Sequence, residues 1–305
     1  MPVRALSFGA IAEAYERFRP SYPEELYDLV ATYAGAPIRT ALEIGAGTGK
    51  ATRLFAAHGV KVTATEPDVA MLVELRNAVP ANVSTVQAAF EDLESGGTYG
   101  LVYAAAVLHW TRPEGRWPRM AALLEPRGVF ASFGGAIRLA DPAVKEAVRL
   151  ARRPFLESDG IPSPDGTAPE AEMQWPGTEL QQSELFCDVQ QHVVERRLTV
   201  SAHDFVGYLS TVSAYLELPQ PVRQKAYDAI AGVLPQTVEL NADVIAHLAR
   251  RGGGTDVARW ELWRQDDNGN KFLVSVHPDE AAARSRLAGF ESGVVHKQSY
   301  WIVRG

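Results

Sequence analysis

A chain of 305 residues, 46% hydrophobic and 22% charged, is long enough to bury one large α/β domain together with an accessory element. Its net charge of -7 argues against a general nucleic-acid or anionic-membrane surface and points to a small-molecule partner. The only cysteine, Cys187, excludes an internal disulfide and a cysteine-based structural zinc site; behind Leu185 and Phe186 it reads as a small buried hydrophobe. No apolar run is long enough to cross a bilayer, and Met1 to Leu6 lack the apolar stretch of a leader, so the chain reads as cytoplasmic.

Phe8, Ile11, Ala12, Tyr15 and Phe18 recur at helical spacing ahead of Pro20, which predicts an amphipathic lid helix over Phe8 to Arg19. Thr40 to Ile44 reads as a short buried strand and Lys50 to His58 as a helix closed by Gly59. Between them, Leu42-Glu43-Ile44-Gly45-Ala46-Gly47-Thr48-Gly49 sets a carboxylate and a glycine cluster at the strand exit. Free amides and the helix dipole there favour an anionic or electron-rich ligand. Lys61 to Thr65 is a second strand ending at Glu66, placed about 20 residues beyond the first glycine, where an acid can take a ribose hydroxyl pair. A nicotinamide fingerprint would need glycine or alanine where Lys50 stands, which weakens the oxidoreductase reading.

Asp68 to Val79 follows as a helix and Val83 to Gln87 as the third strand, leading into Ala88-Ala89-Phe90-Glu91-Asp92-Leu93. Tyr99 to Ala106 is the fourth strand and runs straight into Val107-Leu108-His109-Trp110. Ligands of open α/β sheets bind beyond the carboxyl ends of the strands, which places His109 and Trp110 near any chemistry. Pro113 to Leu124 is a helix and Val129 to Phe133 the fifth strand. Strands alternating with helices in this way predict a parallel sheet with helices on both faces.

From Asp141 the rhythm changes. Pro142 to Glu157 reads as a helix, Gly160 to Gly177 as a loop or lid interrupted by Pro162, Pro164, Pro169 and Pro176, and Glu179 to Phe186 as a short helix. Val189 to Val200 is a strand, Ala202 to Thr211 and Pro221 to Leu234 are helices, and Leu240 to Leu248 is the seventh strand before Arg250-Arg251. Gly252 to Thr255 is a flexible linker. Beyond it, strands over Val257 to Arg264 and Phe272 to Val276 flank a hairpin turn at Asp266 to Asn270, followed by a helix over Asp279 to Ser292 and a strand over Ser299 to Val303. A core this small is expected to dock on the main domain or on a second subunit, making the chain a homodimer in the latter case. His277 and His296 have no metal spacing with any cysteine, and nothing marks a metal site.

From about residue 5 to residue 251 these features resemble the class I S-adenosylmethionine-dependent methyltransferases, through E-x-G-x-G-x-G, the second-strand acid and the strand order. The resemblance implies a Rossmann-like seven-stranded sheet with a helical acceptor-binding cap over about 138–237. It also implies S-adenosylmethionine as cofactor, held by Glu43, Gly45, Ala46, Gly47 and Gly49 at the loop. Glu66 and Pro67 would meet the ribose, Ala89 and Phe90 the adenine, and Ala105 would close the fourth strand beside it. Tyr15-Glu16-Arg17-Phe18-Arg19-Pro20-Ser21-Tyr22-Pro23 is similar to the Y-x-x-x-R-P-x-Y-P entry of the branch that includes trans-aconitate and quinone-type methyltransferases. There the arginine, here Arg19, reaches the methionine carboxylate; otherwise Arg19 is a solvated helix-end charge and the tyrosines are packing aromatics. The chain departs from the family pattern at Ala89, where an acid is usual, at Gly100, where an aspartate is usual, and at Arg127, in place of the first glycine of L-x-P-G-G. Trp175, Phe205, Tyr208 and Tyr215 are aromatic lining for the cap or simply its core. The tail from residue 257 resembles the SPOR-like modules of actinobacterial proteins.

Methyl transfer from a sulfonium is an in-line displacement that needs an aligned acceptor and excluded water. With a hydroxyl, amine or indole acceptor His109 is the natural base, with Tyr15 and Tyr22 closing over it; with a carboxylate or thiolate it only positions. The same motif would also serve a non-catalytic protein that binds cofactor or a partner.

Overall fold

The computed structural model describes residues 11–93, 98–160, 162–168, 170–252, 260–265, 271–277, 280–291 and 299–304. Met1 to Leu6, Phe8, the linker from Gly253 to Thr255, the turn at Asp266 to Asn270 and His296 lie outside them. The chain divides into two compact units, Met1–Arg251 and Gly252–Gly305.

The first unit is built on a seven-stranded sheet. In chain order its strands are β1 (Thr40–Ile44), β2 (Lys61–Thr65), β3 (Val83–Val86), β4 (Tyr99–Ala105) and β5 (Leu124–Gly134), followed by β7 (Phe186–Val194) and β10 (Val244–Arg251). They lie in the order β3-β2-β1-β4-β5-β10-β7. The first five are parallel, and β10 runs antiparallel to both β5 and β7. The crossover helices are α3 (Lys50–Ala57), α4 (Val69–Ala78) and α5 (Arg116–Ala122). Strands buried on both faces read as apolar runs, as in Ala41, Leu42 and Ile44 of β1 and Leu101 to Ala104 of β4, all 2% exposed or less. Asp68 starts α4 by accepting hydrogen bonds from the amides of Ala70 and Met71.

Several boundaries differ from the sequence expectation for local reasons. A further helix, α2 (Glu24–Ala34), closes by the left-handed Gly35 and buries Leu26, Val30 and Tyr33 on the sheet. β5 begins at Leu124, and Arg127, which replaces the family's glycine, holds φ 61. The valine-rich run over Val189 to Val200 is two strands in different sheets, β7 and β8 (Arg197–Ser201). The run over Leu240 to Leu248 is likewise split, into β9 (Thr237–Asn241) and β10. Cys187 is exposed, because it alternates outward next to the buried Phe186 of β7.

The cap is a three-stranded antiparallel sheet, with β6 (Arg138–Leu139) and β8 on either side of β9. It packs with α6 (Pro142–Arg152), α8 (Ala202–Leu209) and α10 (Gln220–Ala231) around Leu139, Val148, Phe205, Tyr215, Ile230 and Leu240. The N-terminal helix α1 (Ala12–Phe18) ties cap to sheet domain. Phe18 packs against α8 so closely that a Cβ on Gly207 would stand 2.5 Å from its ring. At the other end Glu16 receives Lys50 and Arg53 of α3.

The second unit has the order β11 (Trp260–Gln265), β12 (Lys271–His277), α11 (Glu280–Glu291), β13 (Ser299–Arg304), with β11 central in its antiparallel sheet. Leu262 and Ala283 are buried in it. Among the described residues no helix is long and apolar enough to cross a membrane.

Candidate functional site

The glycine loop is shaped by what lies next to it. β1 and β4 are neighbours, with Ile44 opposite Ala104, so the residues after both strands meet. Gly45 has φ 60, and a Cβ there would come within 2.5 Å of Val107 Cγ2. Only glycine therefore lets the loop touch the segment that carries His109. Gly47, φ 58, has open space where a Cβ would be, and its amide donates to Glu66 Oε2 at 2.8 Å. The other oxygen of Glu66 accepts from the Asp68 amide at 2.9 Å. Burial raises the Glu66 pKa from its ordinary value, against the pull of these two amides.

Behind the loop lies Glu43, fully buried, with Oε2 accepting from Thr52 Oγ1 at 2.5 Å and from the Tyr103 hydroxyl at 2.9 Å. Burial pushes its carboxyl up to about 8, against the opposite pull of those two hydrogen bonds. Glu43 Oε1 and Thr48 Oγ1 are buried and have no hydrogen-bond partner among the described residues. An orphaned buried polar atom costs about 1–3 kcal/mol, so the pair is suited to a ligand that brings its own donor.

Two adjoining cavities open here. The smaller, about 80 Å³, is walled by Glu43, Ala46, Thr48, Lys50, Tyr22 and Ala105. The larger, about 780 Å³, runs from Gly45, Gly47, Glu66 and Pro67 to the ends of β4 and β5 and under the cap. His109 and Trp110 line it, their rings 4.6 Å apart in a short 3-10 turn after β4. Ala106, between β4 and that turn, holds φ 55, a left-handed backbone rare outside glycine and concentrated at functional sites. Trp175 and Tyr208 of the cap line the large cavity as well, whereas Phe205 and Tyr215 are cap core.

Tyr15 and Arg19 line both cavities. Arg19 lies between the rings of Tyr15 and Tyr208, 5.1 and 5.0 Å from their centroids, and donates to the Thr211 hydroxyl and carbonyl at 2.8 and 2.9 Å. It is thus a fixed cation at the junction, not a solvated helix end. Tyr22 stands apart from His109: it lines the small cavity, edge-on to Phe133 at 5.1 Å, with its pKa driven far up by burial. Its place is beside Glu43.

Three residues expected at the cofactor do not line either cavity. Gly49 packs against α4, where a Cβ would come within 2.7 Å of Leu75 Cδ1. Phe90 is 2% exposed in the apolar cluster of Val102, Leu108 and Met120, because the short turn over Phe90–Asp92 points its ring inward. Ala89 is buried beside it at 9% exposure. Sequence reasoning missed His247, Ser132 and Gln174, all of which line the large cavity. For Ser132 and His247 the only signal is polarity inside strands that are otherwise core; Gln174, in a polar loop, carries none.

The geometry agrees with what the chain is similar to. Residues 42–130 match a family model described as a methyltransferase domain. Uncharacterized methyltransferases of Mycobacterium tuberculosis and Mycobacterium bovis are 31% identical over 233 residues, covering 75% of this chain and 86% of theirs. A protein described as a type II methyltransferase, from Anaeromyxobacter dehalogenans, superposes with a TM-score of 0.55 over 76% of this chain and 98% of its own; at 23% identity this is a likeness of fold. A carboxylate, a glycine loop and a second-strand acid thus meet at the carboxyl edge of the parallel strands in the β3-β2-β1-β4-β5-β10-β7 sheet, and the chain belongs to the class I S-adenosylmethionine-dependent methyltransferases.

Proposed function

We propose that the protein methylates a small molecule held in the large cavity, on oxygen, nitrogen or carbon. The observation that carries this reading is the continuity of one chamber from Gly47 and Glu66 to His109, Trp110, Trp175 and Tyr208. Cofactor and acceptor have room to meet there under the cap. S-adenosylmethionine supplies an electrophilic methyl on a sulfonium. Gly47, Glu66 and Pro67 would hold its nucleoside end, and Glu43, Thr48 and Arg19 its amino-acid end, the orphaned atoms of Glu43 and Thr48 gaining partners. Trp110, Trp175 and Tyr208 clamp a flat apolar acceptor and exclude water. His109 would take the proton of a hydroxyl, amine or ring N–H acceptor onto an imidazole nitrogen.

The Tyr15 to Pro23 entry supports a place in the trans-aconitate and quinone-type branch, and the chamber suits a product of secondary metabolism made in the cytoplasm. The ββαβ order of the second unit supports a SPOR-like module. Calorimetry with S-adenosylhomocysteine should give one site per chain. Label from methyl-labelled S-adenosylmethionine should then pass into a phenolic or N-heterocyclic member of an acceptor panel. Tight binding with no label transferred to any acceptor would favour a non-catalytic cofactor-binding protein instead.

A further inference from the structure

β10 lies between β5 and β7, and the register sets His247 opposite Ser132 on one side and opposite Gln191 on the other. Residues directly opposite in antiparallel strands point to the same face, so Ser132, His247 and Gln191 form a polar row across three strands. Ser132 and His247 line the large cavity, though they are only 7% and 4% exposed. The strand neighbours of His247, Ala246 and Leu248, turn to the other face and join the main core. A polar row in so apolar a sheet costs stability unless each member is satisfied.

The orientation of Gln191 settles the histidine tautomer. The Gln174 amide donates to Gln191 Oε1 at 2.7 Å, and Gln191 Nε2 donates to the Glu172 carbonyl at 3.1 Å. The oxygen of the side-chain amide therefore faces His247, whose Nε2 lies 2.8 Å from it and must carry the hydrogen. Burial pushes the His247 pKa down to about 4, against a smaller upward pull from the Gln174 backbone, so the ring is neutral near pH 7 and has one proton. That proton is on Nε2, and Nδ1 keeps its lone pair. The ring is also held in place: a Cβ on Gly177 of α7 (Gly177–Gln182) would come within 2.9 Å of Cδ2. The Cδ2 and Nε2 edge is thus taken by α7 and β7.

We propose that His247 is a specificity-determining residue of the acceptor chamber: locked by Gln191, it offers Nδ1 as a hydrogen-bond acceptor and selects molecules that present a hydroxyl or N–H. The inference rests on the methyltransferase reading of that chamber and names the class of acceptor it takes. Histidine here neither gives nor receives a proton during the reaction, which separates its role from that of His109. An ether or ester at the same place would set lone pair against lone pair. A site built around a hydrogen bond discriminates against analogues that cannot make it far more strongly than an apolar pocket does.

The test uses the full chain saturated with S-adenosylhomocysteine and two probes on one ring system, 2-naphthol and its methyl ether 2-methoxynaphthalene. Nitrogen-15 spectra of the histidine rings, with His247 assigned by its loss in His247→Gln, should show the Nε2–H tautomer with no titration between pH 5.5 and 8.5. Titration by fluorescence should give a Kd for 2-naphthol about tenfold below that of the ether, with the preference lost in His247→Phe. S-adenosylhomocysteine affinity, read separately, should change less than twofold in that variant. An Nδ1–H tautomer, or equal affinity for the two probes in the unmodified protein, overturns the proposal. Failure of S-adenosylhomocysteine to bind at all would instead strike at the methyltransferase reading beneath it.

Discussion

The amide of Gly47 and the carboxylate of Glu66 are joined by a 2.8 Å hydrogen bond that ties the loop after β1 to the end of β2. One oxygen of Glu66 thereby sets the loop, and the other sets the start of α4 through Asp68. A ribose hydroxyl pair would meet a carboxylate already held in position. Glu66→Ala should weaken S-adenosylmethionine and S-adenosylhomocysteine alike, by about 1.5–3 kcal/mol, the loss expected for a charge-assisted hydrogen bond. Glu66→Gln should recover part of it. Unchanged calorimetric affinity in the alanine variant would move the ribose contact to another residue.

Glu43 predicts an unusual pH dependence. Its carboxyl ionises near pH 4.5 in the unfolded chain and near pH 8 in the folded one. Between those values the native state holds a proton that the unfolded state has released, so stability falls as pH rises through the interval. Glu43→Gln cannot ionise and should flatten the profile. Relative to it, the unmodified protein should lose on the order of 5 °C in Tm from pH 5 to pH 8. Binding the ammonium of the cofactor beside Glu43 should also release a proton near pH 7, read as a buffer-dependent heat in calorimetry. A wild-type profile parallel to that of the variant would show that Glu43 is ionised throughout.

Glu16 fixes the lid from below. Its backbone carbonyl accepts from Lys50 at 2.6 Å and its carboxylate from Arg53 at 2.8 Å, so α1 is fastened to the helix that follows the glycine loop. The carboxylate is one-third exposed, which limits the pair to about 1 kcal/mol or less. Glu16→Ala should leave Tm nearly unchanged but speed amide exchange across Ala12–Phe18 and lower cofactor affinity, because Tyr15 sits on that segment and Arg19 caps it. Slow exchange in the variant would assign the docking of α1 to Phe18 and Arg19 alone.

The sheet and the glycine loop were legible because they rest on local rules. Apolar runs bounded by Gly45, Gly59 and Pro80 carry their own period, and the acid after β2 falls at a fixed distance. The cap was legible only as a change of rhythm. β6 is two residues long, and β7 is divided from β8 only by Glu195-Arg196 and β9 from β10 only by Ala242-Asp243, breaks too short to stand out as loops. Which sheet each half joins is decided by tertiary pairing. His247 was hidden for the same reason, since its partners Ser132 and Gln191 are more than 50 residues away in sequence and meet it only through register. Tyr22 and Phe90 show the converse. Their positions in a family pattern place them at a site, but side-chain direction sends one to Glu43 and the other into the core.

His109 is the remaining test of acceptor chemistry. It follows β4 through a left-handed Ala106 and a Val107 in contact range of Gly45, so the fold brings it to the loop without a long connection. It lines the large cavity beside Trp110, with Tyr15 on the wall of both cavities and Tyr22 on the smaller one. A general base contributes about 10²- to 10⁴-fold, whereas a packing histidine acts mainly on stability. His109→Ala should therefore lower kcat by about that factor, with Tm and S-adenosylhomocysteine affinity nearly unchanged. The loss should be largest for hydroxyl and amine acceptors, whose proton must leave, and small for a thiolate, which has none to give. Tyr22→Phe should leave kcat near wild type, since that hydroxyl sits by Glu43. If His109→Ala melts early yet turns over normally when folded, the imidazole is a packing group and the acceptor is one that needs no base.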